Sequence, residues 1–306
     1  YLMVPLLVLK FAVAGGGAYR YLRRYVQNAN FAVLGACLYT FSGFSVYNIF
    51  FNHFIDVVAL FPWMLAALDE AMYEHRHGPF AFWAALNLLN NYFFFVGQVL
   101  FLVIYFVCKV SAGDVKLTPK LFARLAFESL LGVALGFILL WPAVLSVLQN
   151  TIDLSSGWGF LTYSKVQQYL AILVSCILPP DSPYMTSIWS EGVIKWTSMS
   201  AYLPLCGLAG AMAYWRARKG DSKKRIVATC AVFALVPVLN SAFYALNSSY
   251  YARWYYMPVL ILCAMTACAL EAPDTDLDAP ARGIGRLMVA TLAFAVVPVQ
   301  DSETKQ

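Results

Sequence analysis

The stretch Tyr39–Trp63, YTFSGFSVYNIFFNHFIDVVALFPW, decides how this chain is read. Both flanks are apolar, and between them Tyr47–Asp56 sets Asn48, Asn52, His53 and Asp56 among Phe and Ile. Such a segment is too apolar for a soluble loop and too polar for a membrane span. It fits a tight connection between two membrane helices, with its polar heads turned to one side.

The rest of the chain supplies the frame. Of its 306 residues 61% are hydrophobic and 12% charged, where a soluble domain carries about 25% charge. Apolar runs of about 16 to 25 residues recur, bounded by charge or turn residues, which is the pattern of a polytopic helical membrane protein. The alternating segments of an outer-membrane barrel are absent. The expected fold is therefore all-α, with about ten membrane helices at 1–19, 30–46, 57–72, 80–89, 93–109, 121–148, 200–216, 226–244, 254–270 and 286–299. They form one transmembrane domain over 1–299, with a tail at 300–306.

Basic residues are shared unevenly between the loops. Arg20, Arg23 and Arg24, Arg76, Lys109 to Arg124, Arg216 to Arg225, and Arg282 with Arg286 fall on one side; Lys165, Lys195 and Arg253 stand on the other. The positive-inside rule makes the first side cytoplasmic and turns 47–56, 149–199 and 245–253 outward. With its basic residues placed in short loops, the net charge of +5 does not indicate a nucleic-acid partner; the lipid bilayer is the partner that composition implies. The chain opens on Tyr1 without a basic n-region, so no signal peptide is read and the N-terminus is expected to be truncated. The seven Cys lack metal-type spacing and read as small buried hydrophobes.

Two regions depart from simple spans. Segments 80–89 and 93–109 are separated only by Asn90, Asn91 and Tyr92, and the first would reach about 15 Å of a core about 30 Å thick. This predicts a short helix, a break and a return helix, with the freed backbone groups lining a cavity open to the outside and lying beside the 47–56 loop. In 149–199, the amphipathic run from Tyr163 to Leu178, stopped by Pro179, Pro180 and Pro183, predicts a helix lying in the outer interface; a simple outer loop is the alternative. The acidic stretch Glu271 to Asp278 reads as a solvated loop.

Few residues are placed to carry chemistry. His53 and Asp56 share a face if their helix begins early, and a carboxylate there can bind a divalent metal ion or act as general base. Asp56 directly before VVALFPW is equally a good helix N-cap. Arg253 stands alone among the aromatics of Asn247 to Tyr256, where a guanidinium fork could bind phosphate or simply snorkel from an aromatic belt. Lys10 and Glu128, both inside apolar runs, are expected to pair with each other or face water. No cofactor is named by the sequence, and Asp56 is the candidate metal ligand.

The segments SGFSVYNIFFNHFIDVVALFPWMLAALDEAM, LNLLNNYFFFVGQVLFLVIYF and NSSYYARWYYMPVLIL, in this order and spacing, resemble the bacterial YfhO-like membrane proteins, grouped with GT-C fold glycosyltransferases. The resemblance covers most of the chain. It implies transfer of a sugar from a polyprenyl-phosphate carrier to a cell-envelope glycopolymer such as lipoteichoic acid, on the outer face of the bacterial cytoplasmic membrane. Alongside it, the residues themselves offer Asp56 and His53 as candidate catalytic groups, and Arg253, Trp254, Tyr255, Asn48, Asn52, Asn91, Tyr92, Gln98 and Asn247 as candidate substrate-binding groups. The resemblance also implies that the family's usual catalytic carboxylate, in a first outer loop, falls outside these 306 residues. A transporter or flippase, suggested by the broken hairpin, and a non-catalytic subunit are the competing readings. The polar residues gather toward one side rather than about a midplane, which favours the enzyme.

Overall fold

The computed structural model describes residues 2–149, 159–181, 196–204, 207–246 and 251–295. Among them there is no strand. The helices are α1 (Met3–Leu22), α2 (Ala29–Thr40), α3 (Gly43–Asn48), α4 (Asn52–Asp69), α5 (Pro79–Asn90), α6 (Tyr92–Ala112), α7 (Pro119–Gln149), α8 (Val166–Val174), α9 (Gly207–Ala217), α10 (Ser222–Leu235), α11 (Pro237–Ala242), α12 (Tyr256–Glu271) and α13 (Asp278–Ala295). A π-turn at Glu70–Glu74 extends α4.

Local chemistry sets the boundaries. The Asn28 side chain accepts from the Asn30 N–H to cap α2, and Asp221 accepts from Lys223 N to cap α10. Pro79 and Pro237 open α5 and α11, where a missing N–H costs nothing. Gly113 closes α6 at φ 83°, the left-handed value that favours glycine.

α12 lies at the centre. Eleven of its sixteen residues are buried on all sides of the helix, as expected for a helix apolar all round. α2, α9, α10 and α1 surround it, and α4 packs on α1 and α5. α7 lies against α5 through Gly132 and Gly136, a small-xxx-small pair. A Cβ on Gly132 would stand 2.8 Å from Ala84 Cβ and 2.9 Å from the Ala81 carbonyl.

Apolar side chains remain exposed along whole helices, including Met3, Val4 and Val8 on α1 and Phe122, Phe127, Leu130 and Ile138 on α7. Exposed apolar stripes of this extent face lipid. Four segments are long and apolar enough to cross a membrane: Met3–Leu22, Ala29–Asn48, Tyr92–Ala112 and Pro119–Pro142. The expected tally of about ten is not reached among the described residues. The run 226–244 is broken at Val236 and Pro237 into α10 and α11, and within 200–216 the described helix α9 has only eleven residues. The central α12, at sixteen residues, is apolar but short.

Further expectations change in detail. The amphipathic run shortens to the nine residues of α8, and the rest of 149–199 is described only at 159–165, 175–181 and 196–199. Glu271 is not merely solvated: its Oε1 accepts from the backbone N–H groups of Gln27 and Asn28 at 2.7 and 2.6 Å, tying the end of α12 to the α1–α2 turn.

Candidate functional site

The two ends of the bundle differ in chemistry. At the basic end, Arg20, Arg24 and Arg76 pair with Glu70 and Glu74. Beneath them Asp69, fully buried, accepts from the hydroxyls of Tyr25 and Tyr105 at 2.5 and 2.8 Å. The opposite end is dominated by aromatic rings, and the 47–56 stretch lies there.

At that aromatic end α4 begins at Asn52, with Phe51 in the cap position and no side-chain cap. Asp56 therefore lies in the second turn of α4, and the N-cap reading is wrong. Its carboxylate instead faces Lys10 of α1 at 2.8 Å. The Lys10 ammonium also donates to the Asn52 side-chain oxygen and, at 3.1 Å, to the Asn52 carbonyl. Of the two outcomes expected for Lys10 and Glu128, pairing with each other does not occur. Lys10 takes Asp56, while Glu128, buried in α7, has His77 Nδ1 at 3.6 Å from a carboxylate whose oxygens make no hydrogen bond. Both findings share one cause: the true start of α4 brings Asp56 onto the face that packs on α1.

His53 is exposed, one helical turn before Asp56, its ring edge-on to Phe54 at 4.6 Å. Phe54 links this turn to two other elements. Its ring lies 4.8 Å from Phe94 of α6 and 5.2 Å from the Arg253 guanidinium. The expected neighbourhood of the Asn90–Tyr92 break and the 47–56 stretch is therefore present in the geometry. The break is at Asn91, whose side chain caps α6 by accepting from Phe94 N at 3.3 Å; Tyr92 beside it is exposed.

Arg253 sits over the ring of Tyr251 at 3.8 Å. Its Nε is buried and makes no hydrogen bond, and it forms no ion pair among the described residues. Of the aromatics beside it, Trp254 is buried, stacked on Phe243 at 4.0 Å with its Nε1 donating to Asn240 Oδ1 at 2.8 Å. Tyr255 is buried against Trp254.

Other candidates point inward. Asn48 is fully buried, its amide donating to the Phe44 carbonyl and accepting from Ser198 Oγ at 2.7 Å. Gln98 is buried between Asn87 and the Tyr256 hydroxyl. Asn48 and Gln98 hold the frame, and the groups at the surface of this end are Lys10, Asn52, His53, Asp56, Tyr92 and Arg253. Asn247 lies outside the described residues.

Sequence reasoning missed the contribution of 196–204. Trp196 packs on Phe51 at 5.6 Å, and Ser198 holds Asn48. Both adopt left-handed backbone, at φ 64° and 57°, a strained state for these residues that clusters at functional sites. Nothing in the sequence signals their place beside α3 and α4.

The donor set does not suit a divalent cation. Asp56 already faces an ammonium, and among the described residues no three His, Cys, Asp or Glu side chains converge.

Comparison with proteins of curated function and with solved structures gives no match. The profile of one family, described as bacterial membrane protein YfhO, matches residues 2–305, and the chain belongs to that YfhO family.

Proposed function

We propose that this protein is a membrane glycosyltransferase. It moves a sugar from a polyprenyl-phosphate carrier to a hydroxyl of a cell-envelope glycopolymer of the lipoteichoic-acid type, at the outward face of the cytoplasmic membrane. The carrying observation is Arg253, a guanidinium with a buried unpartnered Nε, held between Phe54 and Tyr251 at the end remote from the basic loops. An Arg without a carboxylate partner among the described residues keeps its fork available for a phosphate. YfhO family membership supports the same reading. An apolar groove of about 550 Å³ between α1 and α2, lined by Val8, Phe11 and Gly15 among others, begins in the turn that carries Lys10 and suits an isoprenoid chain.

In this reading the acceptor hydroxyl attacks the anomeric carbon and gives its proton to a base. The bond from that carbon to the carrier phosphate breaks, and the electron pair leaves on the phosphate, where Arg253 offsets the charge. Asp56, oriented by Lys10, accepts the hydroxyl's hydrogen bond; His53, one turn away, is the second acceptor at the surface.

The test uses the full chain in liposomes with radiolabelled polyprenyl-phosphate sugars. Transfer to a glycopolymer is expected, and Arg253→Lys should weaken carrier binding about tenfold through loss of the fork. Unchanged carrier binding in Arg253→Ala would remove Arg253 from this role, and absence of transfer from every such donor would remove the enzyme reading.

A further inference from the structure

The basic end holds a second cavity that the transferase reading does not use. A cleft of about 530 Å³ lies between the turn after α4 and the start of α7, lined by His75, His77, Lys116, Thr118, Lys120 and Arg124, with Asp114 at one edge. Its volume is that of a small-ligand site.

The basic residues of this end fall into two groups. Arg20, Arg24, Arg76 and Lys223 each have a carboxylate within 4 Å. Lys116, Lys120 and Arg124 have none among the described residues, although they converge on one cavity. The retention of Lys and Arg on the cytoplasmic side accounts for their number. It does not account for three unpaired cations facing one space, where their mutual repulsion is unfavourable.

Two acidic groups lie nearby, and neither pairs with these three cations. Asp114 accepts from Ser222 Oγ at 2.5 Å and has Lys109 Nζ at 3.6 Å. Glu128 is buried one helical turn beyond Arg124, with His77 as its neighbour.

Arg124 is preset. One of its terminal nitrogens donates to the Ala71 carbonyl and lies 3.1 Å from His75 Nδ1. A guanidinium only donates, so Nδ1 of His75 accepts, and its proton is on Nε2. The His75 ring therefore keeps an N–H donor for a third group. Arg124 Nε is buried without a partner. His75 itself is held at φ 57°, where the π-turn ends.

We propose that this cleft binds a phosphate group, carried by an anionic lipid headgroup or by a small soluble phosphate. Arg124 supplies the N–H groups of its other terminal nitrogen and, with Lys116 and Lys120, positive charge; the His75 Nε2–H and Thr118 hydroxyl are the neutral donors. The cleft adjoins the start of α7, where Phe122 and, just before the helix, Leu117 are exposed, so a headgroup can enter with its chains in the bilayer.

The full chain is purified in detergent with phosphatidylglycerol, and retained lipid is counted by native mass spectrometry. Calorimetry with inorganic phosphate forms the second arm. Lys116→Gln/Lys120→Gln and Arg124→Lys are compared with Arg282→Gln/Arg286→Gln, which removes two exposed positive charges elsewhere. Losing one charge-assisted bond should weaken binding about tenfold in the first two variants and leave the third unchanged. The two cleft lysines are exposed and unpaired, so melting temperature should not move. Lipid retention identifies a headgroup site, and phosphate binding alone a soluble ligand. Equal losses in all three variants would mean diffuse attraction and overturn the proposal, as would failure of the wild type to hold either probe.

Discussion

Replacing Asp56 separates its role toward Lys10 from a role toward substrate. The pair is half-buried, with side-chain exposures of 23% for Lys10 and 30% for Asp56. Asp56→Asn leaves an acceptor and removes the charge, while the ammonium keeps the Asn52 carbonyl at 3.1 Å and the Asn52 side chain. The stability cost should be about 1–2 kcal/mol, between an exposed pair and the breaking of a buried one. Lys10→Met removes the other partner and should cost a similar amount; because the two contacts are one contact, the double variant should cost less than the sum. Rates should behave differently. If Asp56 takes the acceptor proton, Asp56→Asn should lower transfer by about 10²–10⁴, while Lys10→Met loses only orientation and falls about tenfold. Initial rates of sugar transfer from a polyprenyl-phosphate donor in liposomes, with melting temperature in detergent, give all four corners of the cycle. Equal rate losses in both single variants, repeated without increase in the double, would make Asp56 a strut for α1 and refute its contact with substrate.

Other outcomes follow from packing and charge. Gly132→Ala should destabilise by about 1–3 kcal/mol, because the new methyl meets the Ala81 carbonyl and Ala84 of α5. Gly136→Ala should destabilise comparably, since its new methyl meets Cδ2, Cγ and Cβ of the buried Leu88; thermal melts of the two variants read both losses. Asp69→Ala should cost about 3–5 kcal/mol by leaving Arg24 and two buried phenols without their acceptor, and Tyr105→Phe about 1–2 kcal/mol, both read as loss of folded yield or melting temperature. Burial, and then the charge of Asp69, pushes the Tyr25 phenol well above its ordinary value. Its folded pKa being raised, stability should be intact below about pH 10 and fall as pH rises beyond it, where only the unfolded chain ionises. Tyr25→Phe should flatten that alkaline limb in a pH series of melts.

What the sequence disclosed here was periodicity and charge sign. The apolar runs marked the helices, the loop basics separated the two ends, and Asn90–Tyr92 marked the hairpin, because each is a property of consecutive residues. Partnerships between distant positions were not legible. Lys10 and Glu128 are both ionisable within apolar runs, yet no one-dimensional pattern states which helix lies opposite either of them. The start of α4 was displaced because Phe51 caps it without a side-chain bond, so the usual Asp or Asn signal is missing. Asn48 and Gln98 looked like surface polar groups by composition. They are interior, since in a bundle of this polarity a buried amide is kept by partners such as Ser198 and Tyr256 from separate segments.

α1 and α4 run in the same direction and are fastened at three depths. Lys10 meets Asp56, Trp63 Nε1 donates to the Val13 carbonyl at 3.0 Å with its ring against Gly17, and Arg20 meets Glu70. A slide of one helical turn, about 5.4 Å, would break all three fastenings together, and a rotation would drive the indole into the α1 backbone. The two helices thus behave as a single strut. Two covering segments lie beside α3 and the start of α4. These are 196–204 and 251–255, joined to each other by the Ala252 N–H to Thr197 carbonyl bond and to α3 by that from Gly43 to Tyr202. Ser198, Ser200, Ala252 and Trp254 in them are buried, so these segments close the aromatic end as part of the packed core and the strut carries them.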